Sequence, residues 1–139
     1  MNRRDLLLGA SSAALLLPVA AQAAGAWVAY TPGLVKERLA AGETVFLDVA
    51  ADWCTTCRSQ ERTINAFLDQ NPDYAANITF VRLDWDDHKR SDIVAELDIP
   101  RRSTLVVLKG EEELGRIVAN TRPEVIRDLM NVALTAAVA

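Results

Sequence analysis

The 139-residue sequence is short of several things, beginning with sulfur and imidazole: it has two cysteines and one histidine. Two cysteines are too few to staple a small secreted domain, and with one histidine they make a poor zinc site, which takes four soft ligands. Six glycines exclude a collagen-like repeat. Basic residues do not predominate, since 15 Lys and Arg stand against 19 Asp and Glu for a net charge of −4. That balance offers no general cationic surface, so neither nucleic acid nor anionic lipid is expected as a partner. No internal repeat or low-complexity linker follows residue 24. What is present is apolar material, half of all residues, enough for one ordinary globular domain with a real core.

The one long apolar run is N-terminal. It extends from Leu6 to Ala21 behind Asn2-Arg3-Arg4-Asp5, and Ala21-Gln22-Ala23 supplies a small-x-small cleavage site. The pattern predicts a cleavable export signal over residues 1–23 and a mature domain over 24–139. The arginine pair followed by x-Leu-Leu resembles a twin-arginine (Tat) signal; Asn2 and Leu6 depart from the commonest flanks and leave ordinary Sec export as the alternative. A permanent anchor is disfavoured because the run is short, contains Pro18 and has no positive flank on its far side. Losing Arg3, Arg4 and Asp5 moves the net charge from −4 to −5. The expected location is the periplasm, where thiols are oxidised unless something reduces them.

The rest alternates between strand and helix patterns. Trp27 to Tyr30 is a weak first strand, and Thr31-Pro32-Gly33 opens a helix with Thr31 as cap, stopping at Gly42. Val45 to Ala50 reads as a buried strand, Cys54 to about Asn71 as a helix with Ile64, Phe67 and Leu68 on its apolar face, and Ile78 to Asp84 as a second interior strand. Ser91 caps a short helix through Leu97, while Thr104–Leu108 and Leu114–Val118 form a hairpin about Gly110-Glu111. Thr121-Arg122-Pro123-Glu124 reads as a capping box for a last helix bearing Val125, Ile126, Leu129, Met130 and Ala133. The order β-α-β-α-β-α-β-β-α predicts an α/β fold with a central mixed sheet covered by helices.

The chemistry lies in Ala51-Asp52-Trp53-Cys54-Thr55-Thr56-Cys57, where a strand ends and a helix begins. Cysteines three apart on a helical turn share a face, which brings their sulfurs within disulfide reach. At the helix N-terminus unpaired N–H groups and the helix dipole stabilise a thiolate, so Cys54 is the expected attacking thiol and Cys57, one turn in, the resolving one. Half of a zinc site is the plainer alternative, but there is no second cysteine pair and His88 is the only other soft ligand.

The stretch from Phe46 to Cys57 resembles the active-site region of the thioredoxin superfamily. Within it the sequence is most similar to the C-terminal periplasmic domain of the thiol:disulfide interchange protein DsbD, whose motif also runs Ala-Asp-Trp-Cys-x-x-Cys before a basic residue. The similarity spans Val45 to Leu134. It implies the thioredoxin fold, no cofactor, a redox-active Cys54–Cys57 disulfide, oxidised periplasmic proteins as substrates, a membrane thiol donor of the DsbD or CcdA type, and a monomer. Asp48 corresponds to the family's buried acid. Among Phe46, Leu47 and Val49 it should lose hydration, gain a raised pKa and take the proton from Cys57, the alternative being a strand-end carboxylate satisfied by backbone. Glu61, four residues after Cys57, corresponds to a second acid of the DsbD-like branch; the alternative is an exposed helix acid near Arg58. Trp53 is expected beside Cys54 as a partner contact.

One position departs from the pattern. Thioredoxins carry Ile-x-x-x-Pro-Thr with a cis-proline facing the disulfide, whereas gapless alignment of Ile99 with Thr104-Leu105-Val106 puts Ser103 there and Pro100 three residues earlier. A cis bond before serine would cost about 3–4 kcal/mol, so a trans bond and a remodelled substrate groove are expected. A cis Pro100 with a bulge after it is the alternative. Ser103 is either a tolerated loop residue or an opening beside the sulfurs for a metal ion or an iron–sulfur cluster. His88 with Asp86 and Asp87 is a weaker metal candidate, Arg101-Arg102 a candidate for acidic partner surface, and Glu111-Glu112-Glu113 a solubilising turn. The sequence thus predicts an exported protein-disulfide reductase, with a non-catalytic metal, copper or iron–sulfur module on the same cysteines as the competing reading.

Overall fold

A computed structural model describes residues 26–139, and the expected signal over 1–23, with its cleavage point near Ala23, lies outside the described residues. The chain forms β1 (Trp27–Ala29), α1 (Leu34–Ala40), β2 (Thr44–Ala50), α2 (Thr55–Gln70), α3 (Pro72–Asn77), β3 (Ile78–Asp84), α4 (Trp85–His88), α5 (Asp92–Glu96), β4 (Thr104–Lys109), β5 (Glu112–Val118) and α6 (Pro123–Val138). The strands lie in the order β1-β3-β2-β4-β5. β3 runs parallel to β1 and β2, and β4 runs antiparallel to β2 and β5. The predicted mixed sheet covered by helices is thus present.

β2 is central and buried along its whole length. Strand side chains alternate between faces, so Val45, Leu47 and Val49 enter one layer with Val35 of α1 and Ile93 and Val94 of α5. Phe46 enters the other, with Phe80, Leu105, Ile64 of α2 and Ile126, Leu129 and Met130 of α6. Parity therefore aims Asp48 at α2. Phe46 shares that face, but Leu47 and Val49 point to the opposite layer and do not surround the carboxyl as expected.

Several element ends differ from the sequence reading. α1 starts at Leu34 and not at Pro32, because Gly33 at φ +87° takes the left-handed turn a helix start cannot follow. Asn71 ends α2, and its side chain also accepts the N–H of Asp73 at 3.1 Å, which starts the unpredicted α3. Asp84 does the same for the single turn α4, accepting from Asp86 and Asp87. Ser91 stands before α5 without a side-chain cap bond. The expected box at Thr121 does not form: the Asn120 side chain accepts the N–H of Arg122 at 3.0 Å, Arg122 is the cap residue, and Glu124 pairs with its guanidinium at 2.7 Å.

Phe46 is fully buried with its ring centroid 5.2 Å from that of Phe80. Replacing it in Phe46→Ala should lower stability by about 3–5 kcal/mol in urea unfolding, since the layer cannot close over the missing ring. A loss below about 1 kcal/mol would mean that this layer is not close-packed.

Candidate active site

The strand-to-helix junction places the cysteine pair. After β2 the chain turns with the Cys54 N–H on the Ala51 carbonyl at 3.1 Å, and Cys54, still extended at φ −85° and ψ 112°, is the cap of α2. Its sulfur accepts the N–H of Cys57 at 3.2 Å. The two cysteines form a disulfide with Cα atoms 5.3 Å apart, well inside the range such bridges require. Cys54 is 3% exposed and Cys57 fully buried, so incoming thiols and disulfides can approach only the first sulfur. Ala50, Ala51 and the pair make a small apolar cluster against which Trp85 packs.

Ser103 lies directly across from the bridge. No described peptide bond is cis, so the bond before Ser103 is trans as expected and Pro100 is not the cis-proline. The Ser103 hydroxyl sits 3.2 Å from the sulfur of Cys54 and 3.1 Å from that of Cys57. The space expected to open where proline is missing is filled by this buried side chain. Among the described residues, no group of three or more His, Cys, Asp or Glu side chains converges as a metal site would require.

Asp48 is fully buried, and among the described residues no backbone or side-chain N–H donates to its carboxyl oxygens; its carboxyl neighbour is that of Glu61. Burial pushes its pKa well above the usual carboxylate range, the charge of Glu61 pushes the same way, and Arg82 opposes both. The backbone does not satisfy this carboxyl, which removes the strand-end alternative. Glu61 is not a free acid beside Arg58: its carboxylate accepts from the Nε of Arg82 at 2.8 Å. Arg82 pairs in register with Asp48 and also reaches Asp52 at 3.0 Å and Asp84 at 3.8 Å. One cation thus gathers the acids under and beside the cysteine helix.

Trp53 is 56% exposed and turned to the rim instead of packing on the cysteine cluster, a place taken by Trp85. Its indole N–H donates to Asp86 at 2.8 Å, and the Arg102 guanidinium lies 4.3 Å from its ring centroid.

A model of the thioredoxin family matches residues 30–132. The chain belongs to the thioredoxin family. It is 26% identical over 88 residues to a thioredoxin H-type of Fagopyrum esculentum, across 63% of this chain and 71% of that protein. It is 33% identical over 81 residues to thioredoxin-2 of Saccharomyces cerevisiae, across 58% of this chain and 72% of that one. Among solved structures, Trxlp of Edwardsiella tarda EIB202 superposes with a TM-score of 0.65 at 24% identity, covering 75% of this chain and 97% of that one. The thioredoxin of Malassezia sympodialis gives 0.65 at 20% identity over 81% and 94%. These two structural likenesses carry the fold. Family membership and the Cys54–Cys57 pair together make this a thioredoxin-like disulfide oxidoreductase.

Around that thioredoxin centre, the residues sequence reading missed are the ones that act across strands and loops. Gln60, buried one turn after Cys57, donates to the carbonyls of Ser103 at 3.2 Å and Asn120 at 3.1 Å. Its sequence signal was a polar residue in a buried helical stripe. Arg82 had a fainter one, a cation on the same strand parity as Phe80. His88 lies in α4 with its ring 4.9 Å edge-on from Tyr30, away from any ligand cluster among the described residues. The acidic turn at Glu111-Glu112-Glu113 is exposed, with Glu113 paired to Arg116.

The raised pKa of Asp48 fixes a sign. The folded state holds this proton more tightly than the unfolded chain, so stability is fully present below the ordinary aspartate range and is lost as pH rises through the raised folded value. Asp48→Asn should flatten this decline and be more stable than the native protein at about pH 8 but not at about pH 3, by urea unfolding at each pH. Parallel pH profiles for the two proteins would show that the carboxyl bears no such penalty.

Proposed function

We propose that the protein is an exported protein-disulfide reductase resembling the C-terminal domain of DsbD. The observation that carries the reading is a disulfide at a helix start, one sulfur accessible, with the buried carboxyl of Asp48 and the Arg82-held carboxylate of Glu61 on the same side of the sheet. In the reduced protein the Cys54 thiolate attacks a substrate disulfide. A Cys54–substrate bond forms, the substrate bond breaks, and one substrate thiolate leaves. Cys57 gives its proton to Asp48 and attacks the Cys54 sulfur, releasing the second substrate thiolate and leaving the Cys54–Cys57 disulfide. Two electrons pass to the substrate.

The carboxylate of Glu61, and Asp48 when ionised, disfavour a thiolate at the pair and slow exchange when no partner is docked, which suits a protein that must keep its electrons between encounters. The exposed Trp53 ring, flanked by Arg102, offers the partner a flat apolar contact next to Cys54. The Arg3-Arg4 segment and Ala21-Gln22-Ala23 support Tat-type export to the periplasm and removal of residues 1–23. A membrane dithiol of the DsbD or CcdA type would then return Cys54–Cys57 to the dithiol, the substrates being oxidised periplasmic proteins.

The exported form should begin at Ala24 by intact mass, and it should reduce insulin disulfides with dithiothreitol as electron source. Cys54→Ser should abolish turnover, while Cys57→Ser should accumulate a mixed disulfide on Cys54. Asp48→Asn should slow release of that intermediate by about 10–100-fold. Native protein that leaves insulin oxidised contradicts the reductase reading, and intact residues 1–23 after export contradict the cleavable signal.

A further inference from the structure

Ser103 stands where the family carries a proline, and its backbone is fixed by three contacts, the first of which a proline could not make. Its N–H donates to the Val49 carbonyl at 2.7 Å, and its carbonyl accepts from the Ala119 N–H at 2.9 Å and from Gln60 at 3.2 Å. Its φ of +61° lies in the left-handed region, closed to proline and disfavoured for residues other than glycine. These constraints hold the fully buried side chain against the active site. Among the described residues, the polar side-chain atoms within hydrogen-bond reach of its hydroxyl are the two sulfurs, at 3.2 and 3.1 Å. In the disulfide neither sulfur bears a proton, so the hydroxyl is the donor, and its single proton serves one sulfur at a time. A disulfide sulfur accepts weakly. A thiolate accepts strongly, since a hydrogen bond to an ionised partner is about twice as strong as one between neutral groups.

We propose that Ser103 is a further catalytic residue beside Cys54, Cys57 and Asp48, whose hydroxyl donates to whichever cysteine sulfur carries the negative charge. In the reduced protein it holds the Cys54 thiolate in place for attack. During recharging, an incoming thiolate attacks Cys54, the Cys54–Cys57 bond breaks and the electron pair moves to the Cys57 sulfur. The same hydroxyl then turns to that leaving group. Its proton stays on oxygen throughout, so the step needs no further acid. The hydroxyl works against Asp48 and Glu61, favouring the thiolate that their charge disfavours. The proposal rests on dithiol–disulfide exchange at Cys54–Cys57 and not on the direction of electron flow.

Ser103→Ala and Ser103→Gly in the full mature chain test it. Both lack the hydroxyl, and glycine is free of strain at this φ, so at least one variant keeps the native backbone. The readouts are thiolate absorbance of Cys54 against pH and equilibration of the pair with glutathione at a pH where Cys54 is ionised. In both variants the thiolate-to-thiol ratio at a given pH should fall about tenfold, the scale of a hydrogen bond to a charged group. The glutathione equilibrium should move about tenfold toward the disulfide, which is about 30 mV more reducing. A purely structural serine would change the urea midpoint and leave both readouts untouched; native-like titration and equilibrium in the two variants overturns the proposal. The titration does not depend on insulin reduction, so loss of the reductase reading and loss of this assignment give different results.

Discussion

The active end of the molecule depends on β2 being covered on both faces. A strand with no exposed side cannot slip by one residue without exchanging its two layers, so its register is fixed by packing. That constraint sends Phe46 and Asp48 toward α2, and it brings Arg82 of β3 alongside Asp48. It also leaves the Val49 carbonyl at the strand end to accept the N–H of Ser103, which ties the loop entering β4 to the start of the cysteine helix. The sulfurs, the serine and the buried acid are thus positioned by one strand and what it pairs with.

At the disulfide itself two sets of groups pull in opposite directions. The Cys57 N–H and the Ser103 hydroxyl point at sulfur and favour negative charge there. Asp48 and Glu61 disfavour it, and Arg82 moderates the acids by binding Glu61 and facing Asp48. A centre built this way has its reactivity set by a difference between neighbouring terms. Under the proposed function, a partner docked over Trp53 and Cys54 would take the remaining water from the Cys54 sulfur, the other groups being buried or half-buried already, and so change the balance.

Much of this was legible in the sequence where local chemistry decides. Alternation and apolar runs located β2, β3 and the β4–β5 hairpin, and Cys-x-x-Cys after a buried strand located the centre. What stayed hidden depends on register or on backbone angles. The Arg82–Glu61 pair needs the parallel alignment of β3 with β2, and nothing in Ile78–Asp84 states its offset. The Ser103 hydroxyl meets both sulfurs from a backbone at positive φ, which a serine in a loop does not announce. The short α3 and α4 have no apolar stripe of their own and exist through the caps Asn71 and Asp84. At the start of α6, Asn120 reached the free N–H before Thr121 could, a choice between two good capping residues that sequence alone leaves open.

The reduction potential of the Cys54–Cys57 couple, measured against glutathione, bears most directly on the proposed reducing dithiol centre with the buried Asp48 and the half-buried Glu61 beside it. The account predicts a value on the thioredoxin side of the scale, about −230 to −270 mV. A value near that of a strong periplasmic oxidant, about −120 mV, would contradict it and reverse the direction of electron flow.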